Sequence, residues 1–204
     1  MFPLPNIVFY PSTSKPLNIF ETRYIQMVQD AIAEKKPLAL AFYDDSETRG
    51  AQRVRLGEPL PFVREIAGYG DPMILEKRTD DSMLVLVQSK GKVRLKEVVD
   101  LTRPYLVCAA EPLSENEIVS SKNAADLELI TKVFRNWVQA HLEDPAAKDH
   151  FVKNVKNPQE VVGCFASFLI SDHDLQQLLL EMSDINEKIQ TVIGVISSKG
   201  GLIG

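Results

Sequence analysis

From Met1 to Pro112 the apolar positions come in short runs broken by proline and glycine. Runs of that length predict strands rather than helices. Ile7–Tyr10 and Leu38–Tyr43 read as buried strands bounded by prolines and polar turns. Met73–Lys77 and Met83–Gln88 flank the polar stretch Arg78–Ser82, which predicts a hairpin. Lys92–Val99 and Tyr105–Ala110 continue the meander. One helix interrupts it. In Phe20–Glu34 the residues Phe20, Tyr24, Met27, Val28 and Ala31 recur at helical spacing and predict one buried face.

Past Glu115 the period changes to that of a helix. Leu127, Ile130, Phe134, Trp137, Val138 and Leu142 mark a long amphipathic helix that must stop before Pro145. Ala147–Val155 reads as a short second helix. Asn157-Pro158-Gln159-Glu160 is a start signal, with a capping Asn and proline at the first helical position. The helix it opens carries Val161, Val162, Phe165, Phe168 and Leu169. Ser171-Asp172 starts another, with Leu175, Leu178, Leu179 and Met182, and Asp184 a last one, which Gly200-Gly201 closes. Consecutive helices with short connections predict a bundle. The expected organisation is therefore a β-rich part over residues 1–113, an exposed connector over 114–122, and a helical bundle over 123–204.

With 204 residues, 45% hydrophobic and 25% charged, the chain is long and apolar enough to fold without disulfides or metals. A net charge of −5 argues against nucleic acid as the main partner. The longest uncharged runs, Met1–Ser14 and Val161–Ser171, fall short of the ~18 residues of a membrane span. No basic segment precedes an apolar stretch at the start, so no secretory signal is read. Cys108 and Cys164 each lie in apolar surroundings and read as buried, inert thiols in a reducing compartment, the cytoplasm.

Catalytic patterns are missing. The phosphate loop G-x-x-x-x-G-K-[ST], the G-x-G-x-x-G fingerprint and the G-x-S-x-G elbow do not occur. Gly68-Tyr69-Gly70 lacks the third glycine and reads as a turn. His141, His150 and His173 have no partner at metal-ligand spacing and read as surface residues. No cofactor or metal is expected. Two patterns are candidates for binding. Lys90, Lys92, Arg94 and Lys96 share one parity, so a strand would place all four on one face. That face is either a solvated surface or a stripe for nucleic acid or acidic peptide. Phe62, Tyr69 and Met73 lie in the glycine- and proline-containing segment Gly57–Met73. They either plug the end of a barrel or form a peptide-binding surface.

Several segments together resemble one family. Phe2-Pro3-Leu4-Pro5, Val8-Phe9-Tyr10-Pro11 and Pro16-Leu17-Asn18-Ile19-Phe20-Glu21-Thr22-Arg23-Tyr24 resemble the start of the Lon protease N-terminal domain, in the form of its stand-alone bacterial relatives. Gly91–Leu95 resembles that family's late strand, and Asn157-Pro158 with Leu178–Ile189 resembles its last helices. The resemblance implies an α+β fold, a PUA-like pseudobarrel followed by a helical bundle. It also implies a non-enzymatic, substrate-recognition role, with unfolded or damaged protein or a component of a proteolytic system as partner. The alternatives are an RNA-binding PUA-like protein and a small-molecule binder in the barrel mouth.

Overall fold

The computed structural model describes residues 1–43 and 54–198. The chain divides into two compact units, Met1–Leu113 and Ser114–Gly204. The fold is α+β. Among the described residues no helix is long and apolar enough to cross a membrane.

Among the described residues the first unit is one mixed sheet with a single α-helix. Its elements are β1 (Phe2–Leu4), β2 (Ser14–Ile19), α1 (Thr22–Ala33), β3 (Leu38–Phe42), β4 (Ile66–Lys77), β5 (Met83–Asp100) and β6 (Val107–Leu113). The strand order is β1-β3-β4-β5-β2, with β6 also pairing with β5. β1 runs parallel to β3, and every other pair is antiparallel. β3 reads as an unbroken apolar run, Leu-Ala-Leu-Ala-Phe, because both of its faces are covered. Leu38 and Leu40 join α1 residues Tyr24, Met27, Val28 and Ala31 and β5 residues Met83, Val85 and Val87 in one core. Ala41 joins Ala67, Val93, Leu95 and Val98 in a second core. Burying a side chain such as Met27 or Val28 fully contributes about 1.5–3 kcal/mol.

Several expectations need correcting. Met83–Gln88 and Lys92–Val99 are halves of one 18-residue strand, β5. Its register with β4 slips between Tyr69 and Gly70, opposite Gly91, whose φ of 137° favours glycine. Val8, Phe9 and Tyr10 are buried but lie outside every strand. Gly68-Tyr69-Gly70 is not a turn; it lies inside β4. These glycines mark close backbone approach. A Cβ at Gly68 would overlap the Phe9 carbonyl oxygen, and one at Gly70 would overlap that of Gln88. Phe20 leaves the predicted helical face. It precedes α1 and is 75% exposed.

The second unit contains a short 3-10 turn (Ser121–Asn123), then α2 (Ala124–His141), α3 (Pro145–Asn154), α4 (Pro158–Leu169), α5 (His173–Glu181) and α6 (Ile185–Ser198). Gly200-Gly201, expected to close α6, lie outside the described residues. Helix starts follow their caps. Asn157 accepts from the Gln159 amide, Asp172 from that of Leu175 and Asp184 from that of Asn186. The α2 face is Ile130, Phe134 and Val138. Phe168 and Leu178, expected in apolar faces, are each more than two-fifths exposed. Gln176 of α5 donates its side-chain amide to the Ala166 and Ile170 carbonyls, satisfying the end of α4.

The stretch expected as an exposed connector, Ser114–Lys122, is exposed at Ser114, Asn116–Ile118, Ser121 and Lys122, and it is also bonded to α6. Asn116 exchanges backbone hydrogen bonds with Ser183 and Ile185, and the Asn186 side chain bonds Ile118 and Ser120. Beneath them Lys188 donates to both Glu115 carboxylate oxygens at 2.8 and 2.9 Å, with only 1% and 5% of the two side chains exposed. The Gln159 side-chain oxygen accepts a third bond from Lys188.

Two sets of variants test this description in urea denaturation. Glu115→Ala or Lys188→Ala should each destabilise by about 3–5 kcal/mol, because the remaining buried charge loses its ion-pair partner. The double change Glu115→Leu with Lys188→Met should cost less than either single one. Gly68→Ala should destabilise by about 1–3 kcal/mol through backbone overlap. Gly194→Ala, in open space within α6, should stabilise by about 0.5–1 kcal/mol.

Candidate functional site

The β-rich unit carries a groove of about 690 Å³. One wall is the start of the chain, from Phe2 to Pro5, and another is the β2–α1 corner from Asn18 to Tyr24. The β5–β6 loop from Leu101 to Leu106 faces them, and Tyr43, Val54 and Phe62 complete the lining. The lining is mostly apolar and rich in rings. Phe2 and Tyr24 pack with centroids 4.2 Å apart, and Tyr43 and Phe62 with centroids 5.8 Å apart. Phe20 at 75% exposure and Leu101 at 50% stand open to solvent on its rim.

The charges of the groove are engaged with one another. Arg23 pairs with Glu21 at 2.8 Å and lies 4.5 Å over the Tyr24 ring. Arg103 reaches Asp30 at 3.2 Å, Glu34 at 2.6 Å and Asp100 at 3.4 Å, and donates to the Tyr105 hydroxyl at 2.6 Å. That hydroxyl donates onward to Asp30 at 2.6 Å. The network ties the β5–β6 loop to α1. Burial first, then the bond to Asp30, pushes the Tyr105 phenol up. Hydrogen bonds from Lys36 and Arg103 hold the Glu34 carboxyl below the usual carboxylate range. Thr102 does the same for Asp100.

The three apolar candidates do not converge. Phe62 lines the groove. Tyr69 lies on β4, partly buried against the second core. Met73 is 53% exposed further along β4, opposite Leu86 of β5. Phe2, Phe20 and Leu101, which no sequence motif marks as a site, also line the groove. Phe20 continues the helical period of α1, and Leu101 falls between the expected strands Lys92–Val99 and Tyr105–Ala110.

The basic stripe is corrected at one position. Lys90, Arg94 and Lys96 are exposed, but Lys92 is 1% exposed. Lys92 stands opposite Gly68, and the backbone of Phe9 packs across Gly68 on that face. The segment Val8–Tyr10 thus covers a position that alternation alone assigns to solvent. Lys90 pairs with Asp71 and Lys96 with Glu111, both at 3.2 Å, and Arg94 is also opposite Glu111. The stripe is therefore broken by burial and balanced by acidic neighbours.

Both cysteines are free, Cys164 buried and Cys108 half-buried. Burial pushes the Cys164 thiol up to about 12 and raises that of Cys108. His141 is exposed and stacks on Trp137 at 4.8 Å, and His173 is half-buried. The side chain of His150 lies outside the described ones.

An α+β unit with an apolar, ring-lined groove and internally paired charges has the build of a binding module. Over residues 1–198 the chain matches the family described as the ATP-dependent protease La (LON) substrate-binding domain, and it belongs to that family. It is 20% identical over 203 residues to the Lon protease of Anaeromyxobacter dehalogenans, covering 98% of this chain and 23% of that protein. The chain thus spans about a quarter of the length of such relatives. The fold is shared with a Lon N-terminal domain protein from Xanthomonas campestris, at TM-score 0.64 and 14% identity, covering 95% of each chain. It is also shared with the N-terminal domain of the Mycobacterium avium complex Lon protease, at TM-score 0.67 and 13% identity, covering 97% of each.

Replacing the stripe residues one at a time tests the burial of Lys92. Lys90→Gln and Lys96→Gln should each change stability by no more than about 0.5 kcal/mol, while Lys92→Gln should cost more than about 1 kcal/mol. Thermal and urea unfolding measure both.

Proposed function

We propose that the groove of the β-rich unit captures apolar segments of unfolded or damaged polypeptides. The observation that carries this reading is the groove itself. In a chain of the substrate-binding family it offers Phe20 and Leu101 to solvent beside the Phe2, Tyr24, Tyr43 and Phe62 rings. Its arginines are already held by Glu21, Asp30, Glu34 and Asp100, so the open surface suits apolar side chains rather than a charged ligand. One small site of this kind should bind in the micromolar range, about −8 kcal/mol. The RNA reading has no comparable support. Lys92 is buried, and Lys90 and Lys96 have carboxylate partners. The 204 residues carry no phosphate-loop pattern, and the proposed role includes neither ATP hydrolysis nor peptide cleavage.

Anisotropy titration with labelled, reduced and carboxymethylated casein tests the reading. Phe20→Ser with Phe62→Ser should weaken binding by roughly 1 kcal/mol or more. Tyr69→Ser with Met73→Ser should leave it nearly unchanged, since neither residue lines the groove. Binding should vary little between 50 and 300 mM salt. Steep salt dependence, together with stronger binding to an RNA pool, would replace this reading with the RNA one.

A further inference from the structure

The sheet face turned away from α1 carries apolar side chains that neither the core nor the groove uses. β2, β5 and β4 lie side by side, and their register sets Pro16, Leu86 and Met73 in one row. The next row holds Asn18 and Leu84, with Leu75 beside Glu76 at a register shift of β4. Alternation sends the intervening residues to the opposite face, where Leu17, Val85 and Ile74 pack in the core that includes α1. Met73 and Leu75 are 53% and 51% exposed, Pro16 is exposed, and Leu84 and Leu86 are half-buried. A contiguous apolar patch rimmed by polar residues marks an interaction surface.

The rim sets what can cover it. At one end Lys90 pairs with Asp71 at 3.2 Å. At the other Arg78 lies 3.7 Å from Glu76 and donates to Asn18. Each end is neutral, in a chain whose net charge is −5, so a second copy meets no net repulsion at this face. The patch is also self-complementary. A two-fold axis crossing the strands at the Met73–Leu86 row lays each strand over its own copy with its direction reversed. Apolar rows then cover apolar rows. The Glu76–Arg78 end of each copy meets the Asp71–Lys90 end of the other, so acids can face bases at both ends.

We propose that this face docks a second copy of the chain, giving a two-fold dimer by sheet-on-sheet packing. The proposal is independent of the groove, whose lining contains none of Pro16, Met73, Leu75, Leu84 and Leu86. The patch is small, so the dimer is a weak one, half formed at a concentration on the order of 100 µM.

Sedimentation equilibrium of the full chain up to about 1 mM tests it. The weight-average mass should rise from 22.8 kDa toward twice that value. Met73→Lys with Leu75→Lys should weaken association at least tenfold. Both side chains are exposed, so the urea midpoint of this variant, measured at about 1 µM, should match the parent's. Met73→Cys should give a disulfide-linked dimer in oxidised glutathione, because the axis brings the two copies of residue 73 together, and Phe20→Cys should not. Phe20→Ser with Phe62→Ser should leave the mass unchanged, so this proposal and the groove reading fail separately. A parent that stays at 22.8 kDa would overturn the proposal, as would a dimer that survives the double Lys change or links equally well through Phe20→Cys. With a monomeric parent, loss of casein binding in the double Lys variant would make the face a client site instead. A lowered urea midpoint would then mean that another part of the same chain covers it.

Discussion

The β-rich unit hangs on the backbone at Gly91. β5 is 18 residues long and serves two cores, one through Met83, Val85 and Val87 and the other through Val93, Leu95 and Val98. It serves two sets of neighbours as well, β2 along its first half and β6 along its second. A flat strand cannot do both. The register slip beside Gly91, at a φ of 137° that a side chain would resist, lets the strand change course without ending. The changed course brings β6 alongside the second half of β5, and the loop that joins them, Leu101 to Leu106, becomes a wall of the groove.

The groove's chemistry follows from what surrounds its rings. Arg103 draws three carboxylates and the Tyr105 hydroxyl into one network on the loop, so polar groups that could take a charged ligand are already engaged. What remains open is apolar surface, with Phe20 projecting from the corner before α1. An exposed ring and leucine at the rim of a concave apolar site favour adaptable, weak contacts over a single specific partner. Membership of the Lon substrate-binding family and the proposed capture of apolar segments point the same way.

In the second unit the organising contact is a buried ion pair. Glu115 and Lys188 are 73 positions apart in the chain. Together with the bonds of Asn116 and Asn186, they bind the stretch before α2 onto α6. Composition alone marks Ser114–Lys122 as polar and unpatterned, which reads as an exposed connector and gives no sign of the bonds that hold it to α6. Those bonds are invisible in the sequence because a buried charge is tolerated only when its partner is supplied, and that partner comes from a distant helix.

Local signals were sufficient wherever a residue's role depends on its sequence neighbours. The helical period of Tyr24, Met27, Val28 and Ala31, the caps at Asn157, Asp172 and Asp184, the apolar run of β3 and the polar hairpin loop at Arg78–Ser82 all did what their chemistry requires. So did the segments at both ends that resemble the Lon N-terminal domain. Tertiary structure decided the rest, because those roles depend on what a distant segment places alongside. Gly68 and Gly70 read as a turn until the Phe9 and Gln88 carbonyls are found against them. Lys92 reads as a solvated lysine until Val8–Tyr10 covers its face. Phe20 reads as core until the chain bends before α1. A groove is a property of several segments at once, and no periodicity within any one of them encodes it.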